Sequence, residues 1–210
     1  MHVERLGYRR AVQKSHVKDY YFFRAKRENF SARSVYKLKN IQEKYQLIRP
    51  GHQVLDLGAA PGGWTEYLVN IIGKGGKLWA VDERPLSHSS LQRIKNIGLG
   101  FQFLEQPIFK DLDLGSAKMD VIVSDVAPWT AGSKWIDSSK SYELVKRAYE
   151  LAVVHLKEEG HFIVKIFHSP ETIALSKKWQ KRFKLGKLYK PTATHKESKE
   201  IYFVGQHYNA

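Results

Sequence analysis

Short apolar segments alternate with longer stretches of helical periodicity along most of the chain. The apolar segments predict seven strands, at residues 53–57, 77–82, 101–104, 119–125, 161–167, about 185–190 and about 200–205. Strands that are apolar throughout and separated by helices are typical of parallel sheets with helices on both faces. The pattern therefore predicts one doubly wound α/β domain.

Helical periodicity predicts further elements around these strands. Ser31 is a candidate N-cap for a helix through ARSVYKLKNIQEKY, which stops before Pro50-Gly51. Another helix follows the first strand through WTEYLVNII, and a third lies near 171–182.

The clearest helix spans about residues 138–157. One face carries Leu144, Ala148, Leu151, Ala152 and His155. Asp137 or Ser138 is expected to cap its N-terminus, and Gly160 is expected to end it.

Composition narrows the class of protein. The 210 residues fit one domain with a full core, and 42% of them are hydrophobic. Cysteine is absent, which excludes a disulfide scaffold, a thiolate metal site and a cysteine nucleophile. We expect a cytoplasmic protein, since neither a membrane span nor a secretory signal is visible. A basic start that resembles an organelle transit peptide is the alternative.

The positive charge is concentrated in two segments. Of the net charge of +14, residues 1–39 carry +8 and residues 177–199 carry another +8, so the rest is close to neutral. This distribution favours an anionic polymer as partner, whereas simple solubility is the alternative interpretation.

The first basic segment also contains aromatic residues. Tyr20, Tyr21, Phe22 and Phe23 lie directly before a cluster of cations. Cations for phosphates and rings for unstacked bases are typical of proteins that bind single-stranded or loop RNA. We therefore expect RNA binding, although these rings could equally pack the segment onto the body. The candidate RNA-binding residues are Arg24, Lys26, Arg27 and Arg33.

A glycine-rich turn follows the first strand and opens a helix. Glycines there allow close approach of a ligand to the backbone, and the helix N-terminus offers free N–H groups. Asp82, at the end of the second strand, is placed to bind ribose hydroxyls. The spacing differs from the G-x-G-x-x-G of dinucleotide folds and suits S-adenosylmethionine, which has no pyrophosphate. The candidate cofactor-binding residues in the turn are Asp56, Gly58, Ala59, Pro61, Gly62, Gly63 and Trp64.

Two other interpretations of this turn remain open. It could be a purely structural tight turn, or it could belong to a nicotinamide-dependent oxidoreductase. The oxidoreductase fits the turn and Asp82 but does not explain the two basic segments.

Lys165 interrupts the apolar strand HFIVKIF. Removing a lysine from water is costly unless it is paired. Asp125 ends the preceding strand, so both groups should meet at the carboxyl edge of the sheet, beside the glycine turn. A lysine that a carboxylate positions next to a sulfonium cofactor can take a proton from a sugar hydroxyl when it is neutral. If Lys165 instead extends to solvent from the strand's end, no function follows.

The chain resembles the FtsJ/RrmJ family of S-adenosyl-L-methionine-dependent RNA ribose 2′-O-methyltransferases. The resemblance runs from about Ser31 to Val204 through ARSVYKL, VLDLGAAPGGWTEYLV, VDERP, SDVAP, IVKIF and ESKEIYFV. It implies a class I methyltransferase fold with a Rossmann-like, seven-stranded, mostly parallel sheet over 31–210. Residues 1–30 would then be a basic, aromatic RNA-binding extension.

The resemblance also implies a catalytic tetrad, Lys37, Asp125, Lys165 and Glu200. Lys165 would act as general base or orient the hydroxyl. Asp125 would position Lys165 and oppose the sulfonium charge, while Lys37 and Glu200 would hold the ribose.

Two positions depart from the family pattern. Many relatives carry a Gly-Asp pair after the third strand, and the acid of that pair contacts the adenine of the cofactor. This chain reads FLEQP at that place. Glu105 or Gln106 is the candidate replacement for that contact. Trp129 stands where relatives have Asn or Asp, and it could stack on a base or pack under its loop.

The expected function is methylation of a ribose 2′-hydroxyl in large-subunit ribosomal RNA. Transfer RNA or cap RNA is an alternative substrate, and a non-catalytic RNA-binding ribosome-assembly factor is an alternative class. We expect a monomer whose partner is ribosomal RNA or a ribosomal subunit, with no membrane. No metal site is expected, since His155, His161 and His168 lack ligand spacing.

Overall fold

The computed structural model describes residues 20–128 and 134–209, with the backbone alone for residues 134–138. The strands are β1 (Gln53–Leu57), β2 (Lys77–Asp82), β3 (Gly100–Glu105), β4 (Met119–Ser124), β5 (Leu156–Phe167), β6 (Phe183–Tyr189) and β7 (Glu200–Tyr208). The helices are α1, described over 20–27, α2 (Val35–Tyr45), α3 (Gly63–Ile72), α4 (His88–Lys95), α5 (Lys134–His155) and α6 (Pro170–Gln180).

All seven strands form one sheet in the order β3-β2-β1-β4-β5-β7-β6. Strands β1 to β5 are parallel, whereas β7 runs antiparallel to both β5 and β6. This confirms the predicted seven-stranded, mostly parallel α/β sheet. The strand order reverses between β1 and β4, and in such sheets ligands bind outside the carboxyl ends of the strands at that point.

Alternate residues of the strands face two separate cores. Leu55 and Leu57 of β1 point toward the core that α5 and α6 cover. Val54 points to the opposite core, under α2, α3 and α4. Both faces of the central strands are therefore buried, which is why these strands are apolar without alternation.

The predicted capping role of Ser31 is wrong. Helix α2 begins at Val35, and its N-cap is Ser34. Ser31 instead accepts a hydrogen bond from the Ser90 hydroxyl, 3.2 Å away, and its N–H donates to the Glu66 carboxylate. These contacts tie the segment before α2 to α3 and α4.

Both predicted ends of the long helix are also wrong. Helix α5 begins at Lys134, so Asp137 and Ser138 lie inside it, and β5 already starts at Leu156. Gly160 therefore lies within β5. A Cβ there would come 2.9 Å from the Lys157 carbonyl oxygen, so only glycine fits the irregular start of this strand.

Two helices were not predicted from the sequence. Helix α1 places Ala25 in a small core with Val35 and Tyr36. Helix α4 is capped by Ser87, whose hydroxyl accepts from the N–H of Ser90. Within the described parts of the chain, no helix is long and apolar enough to cross a membrane.

Candidate active site

A cavity of about 610 Å³ opens at the carboxyl edge of the sheet, where the strand order reverses. Its size falls within the usual range for small-molecule sites. Its walls include the turn after β1, the end of β2, the segment after β3 and the segment after β4. The residues that line the cavity include Ala59, Pro61, Trp64, Asp82, Pro107, Ile108, Phe109 and Asp125.

The turn after β1 requires glycine where it approaches β4. Gly58 has a φ of +81°, in the left-handed region that favours glycine. A Cβ on Gly58 would lie 2.7 Å from the backbone nitrogen and Cα of Val126, which is too close for any side chain. The turn therefore leaves bare backbone at the floor of the cavity.

Asp82 holds the turn from the end of β2. One of its carboxylate oxygens accepts from the Ala60 N–H at 2.9 Å, and the other accepts from the Arg84 N–H at 2.9 Å. The residue is 6% exposed and lines the cavity, as the prediction of a ribose contact requires.

Asp56 lies beneath the turn and is fully buried. One oxygen accepts from the Thr65 hydroxyl at 2.7 Å, while no partner is described for the other. Burial raises the pKa of Asp56 to about 7. Neither Asp56 nor Gly62 is among the described residues that line the cavity, so this geometry gives no support to a direct cofactor contact by either of them.

Lys165 and Asp125 meet, as the parallel neighbours β4 and β5 predicted. The Lys165 ammonium lies 3.0 Å from the Asp125 carboxylate and donates to the Asp125 carbonyl oxygen at 2.5 Å. The Lys165 side chain is only 7% exposed. Two oxygens of Asp125, which lines the cavity, therefore hold a largely dehydrated amine. Lys165 itself is not among the described residues that line the cavity.

Lys37 and Glu200 form the second pair of the tetrad. The Lys37 Nζ lies 2.6 Å from one Glu200 oxygen and 2.8 Å from the other. Lys37 comes from α2 and Glu200 from the start of β7, so the fold brings together residues 163 positions apart.

Tyr202 joins the two pairs, and the sequence analysis missed it. Its hydroxyl lies 2.9 Å from the Asp125 carboxylate and 3.2 Å from the Glu200 carboxylate. Burial and these two acids raise the pKa of Tyr202 well above its usual value. A signal was present, because Tyr202 lies two positions after Glu200 on one strand and so shares its face.

Two of the four candidate RNA-binding residues, Arg24 and Arg33, contact residues outside α1. Arg24 donates to Glu28 at 2.6 Å, and its guanidinium lies 4.7 Å from the centre of the Tyr36 ring. Arg33 lies 3.2 Å from His195. Arg24 and Arg33 thus also connect parts of the chain.

Lys26 and Arg27 are exposed on α1, beside exposed aromatic rings. The Lys26 Nζ lies 4.5 Å from the centre of the Phe22 ring, and Phe23 is 63% exposed. This arrangement of cations and rings suits a nucleic-acid surface.

The Gln106 amide donates to the Asp111 carbonyl at 3.1 Å, and Gln106 is not among the described residues that line the cavity. Neither is Glu105. The adenine contact predicted for either residue therefore has no support in this geometry. Trp129 lies outside the described residues. No group of three described His, Asp or Glu side chains could hold a metal ion.

The strand order and the cavity at its switch point define the Rossmann-like fold of class I methyltransferases. Residues 30–208 match the FtsJ-like methyltransferase family, and the chain belongs to it.

Curated relatives and a solved structure agree with this family. A protein of Syntrophobacter fumaroxidans named "Ribosomal RNA large subunit methyltransferase E" is 38% identical over 90% of this chain and 95% of its own length. A protein of the same name from Bdellovibrio bacteriovorus is 39% identical over the same shares. A crystal structure described as a ribosomal RNA methyltransferase, from Plasmodium falciparum, shares the fold with a TM-score of 0.69. It is 23% identical and covers 85% of this chain and 98% of its own.

Proposed function

We propose that this protein transfers a methyl group from S-adenosylmethionine to a ribose 2′-hydroxyl of RNA. The observation that carries the proposal is the continuous series of contacts Lys37–Glu200–Tyr202–Asp125–Lys165, which reaches the cavity at Asp125. A protein that only bound RNA would gain nothing from a dehydrated lysine held by a residue of that cavity.

The residues present fit a nucleoside cofactor with a positive centre. Gly58 presents backbone atoms alone to the cavity, and Asp82 offers carboxylate oxygens to ribose hydroxyls. Asp125 provides negative charge between the cavity and Lys165. When bound, S-adenosylmethionine supplies an electrophilic methyl group.

The tetrad would bind and orient the hydroxyl that reacts. Lys165 would hold the ribose 2′-oxygen and, in its neutral form, would take the hydroxyl proton at Nζ while the methyl group passes from the cofactor sulfur to that oxygen. Asp125 fixes the position of that nitrogen, and Lys37 with Glu200 binds the ribose. Alignment of the oxygen with the methyl group supplies much of the rate.

The substrate we propose is large-subunit ribosomal RNA. Relatives that match nearly the whole chain are named for that substrate, and no observation favours transfer RNA, cap RNA or an assembly role. The exposed cations Lys26 and Arg27, with Phe22 and Phe23, would bind the RNA on α1.

We also propose that the chain divides into an extension (1–30) and a methyltransferase domain (31–210). The family match begins at residue 30, which supports it. Helix α1 nevertheless packs Ala25 against Tyr36 of α2, so the described part of the extension rests on the domain. A cytoplasmic monomer is likewise proposed.

The test is transfer of labelled methyl from S-adenosylmethionine to ribosomal subunits that lack their own modification. We expect label in alkali-resistant dinucleotides, because a 2′-O-methyl group blocks cleavage of the adjacent phosphodiester. Label that alkali releases in mononucleotides would indicate base methylation and contradict the proposal. Cofactor binding without any transfer to RNA would favour the assembly factor.

A further inference from the structure

The segment after β3 forms an apolar wall of the cavity. Pro107, Ile108 and Phe109 line it. Ile108 is 3% exposed and belongs to the core under α5, whereas Phe109 is 54% exposed. An aromatic ring of that exposure at the cavity is available to a flat ligand.

Arg147 of α5 holds this wall in place. Its Nε donates to the Ile108 carbonyl at 3.0 Å, and its Nη2 lies 3.4 Å from the Lys110 carbonyl and 3.4 Å from the Asp111 carboxylate. The Asp111 side chain is fully exposed, so its ion pair with Arg147 contributes little, and the two carbonyl contacts, one on each side of Phe109, hold the segment. The Arg147 side chain itself is only 21% exposed.

The start of the same segment is fixed to β2 and to its own end. The Gln106 N–H donates to the Asp82 carbonyl at 2.9 Å, and the Gln106 amide donates to the Asp111 carbonyl at 3.1 Å. With Arg147 bound to Ile108 and Lys110, the backbone on both sides of Phe109 is held. A planar guanidinium with several fixed donors suits this task better than a lysine would.

We propose that Arg147 is a positioning residue for the cofactor. It acts by holding Ile108 and Phe109 against the base of the bound nucleoside. The inference rests on the proposed function, since it takes the cofactor to be S-adenosylmethionine. Pro107, Ile108 and Phe109 offer the cavity apolar and aromatic contact and contribute no acid of their own, while Glu143 of α5 lines the same cavity. Contact of this segment with the base therefore depends on its shape and position.

The experiment compares binding of S-adenosylhomocysteine to wild type and Arg147→Leu by calorimetry. We expect the Kd of Arg147→Leu to rise about tenfold, in line with the loss of one or two charge-assisted hydrogen bonds. The KM for S-adenosylmethionine should rise similarly, while kcat at saturating cofactor stays within about twofold, because the tetrad is untouched. A merely structural defect would instead lower the active fraction and hence kcat.

Lys146→Leu is the matched control. It removes a cation from the neighbouring position of α5, where Lys146 pairs only weakly with Glu150 at 3.9 Å, and should leave the Kd unchanged. Arg147→Lys, which can reach one carbonyl, should restore part of the affinity. Phe109→Ala should also raise the Kd. In the double variant the two effects should not add fully, because both substitutions act through the same wall of the cavity.

The outcomes separate this inference from the proposed function. If wild type and Arg147→Leu bind S-adenosylhomocysteine equally well, the role of Arg147 is overturned and the methyltransferase proposal stays intact. Wild type that fails to bind overturns both. If Arg147→Leu does not fold, Arg147→Lys and Phe109→Ala decide, and wild-type Kd values in both of them overturn the inference.

Discussion

Replacing the buried acid under the glycine turn should change how stability depends on pH. Asp56 is fully buried, and burial raises its pKa to about 7 from an ordinary value of 3.8. The folded protein therefore keeps a proton on this carboxyl at pH values where the unfolded chain has lost it. This group stabilises the fold fully below about pH 4, and that stability is lost as the pH rises to about 7.

The size of the effect follows from the difference between the two pKa values. At about 1.4 kcal/mol per unit, a difference of roughly three units gives about 4 kcal/mol as an upper limit. Asp56→Asn removes the titration and keeps the shape. Any fixed cost of the amide, such as a poorer contact with Thr65, is the same at every pH. The free energy of unfolding of wild type minus that of Asp56→Asn should therefore fall between pH 4 and 8.

Urea unfolding of both proteins across that pH range measures the difference. Other groups titrate equally in the two proteins and cancel. Thr65→Val is a useful second variant, because it removes a hydrogen bond that lowers the pKa of Asp56 and should move the fall to higher pH. A difference that stays flat from pH 4 to 8 would show that Asp56 is ionised in the folded protein, and would refute the reasoning.

Three further predictions concern His161 of β5, the turn after β1 and the tetrad. Burial lowers the pKa of His161 to about 4, so the free energy of unfolding of wild type should fall as the pH drops from about 6.5 to 4. His161→Phe should lose less stability over that range, and equal losses for the two proteins in urea unfolding would contradict the prediction. Gly58→Ala should lower stability by about 1–3 kcal/mol and weaken cofactor binding in calorimetry, because its Cβ would meet Val126. Gly98→Ala, at a φ of +68° with open space around it, is the control for backbone strain alone and should leave cofactor affinity unchanged. Tyr202→Phe keeps the buried ring but removes the hydroxyl between the two acids of the tetrad. We expect kcat to fall about tenfold or more at unchanged cofactor affinity. A wild-type kcat would show that the hydroxyl of Tyr202 is not needed between Asp125 and Glu200.

Features that depend on local sequence could be predicted. The first strand, the glycine turn and the helix after it are neighbours in the chain, and each has its own pattern of apolar residues or glycines. The meeting of Lys165 with Asp125 was also within reach, because consecutive parallel strands place their carboxyl ends together. Lys37 and Glu200 came only from the family resemblance, since no spacing rule connects α2 with β7.

Features that depend on distant partners could not be predicted. Ser31 looks like a cap, but Ser90 and Glu66 bind it, and neither is near it in sequence. The Gln106 amide is a different case, because its acceptor lies in the same loop and is in place only once that loop has folded. Arg147 reaches Ile108 across 39 positions, and its place on α5 gives no hint of that contact.

The most direct test of the account compares wild type with Lys165→Ala in the labelled methyl-transfer assay on ribosomal subunits, with cofactor binding measured in parallel. The account predicts labelled alkali-resistant dinucleotides from wild type and none from Lys165→Ala, at nearly equal affinity for S-adenosylmethionine. Turnover of Lys165→Ala at the wild-type rate would contradict the role given to the tetrad.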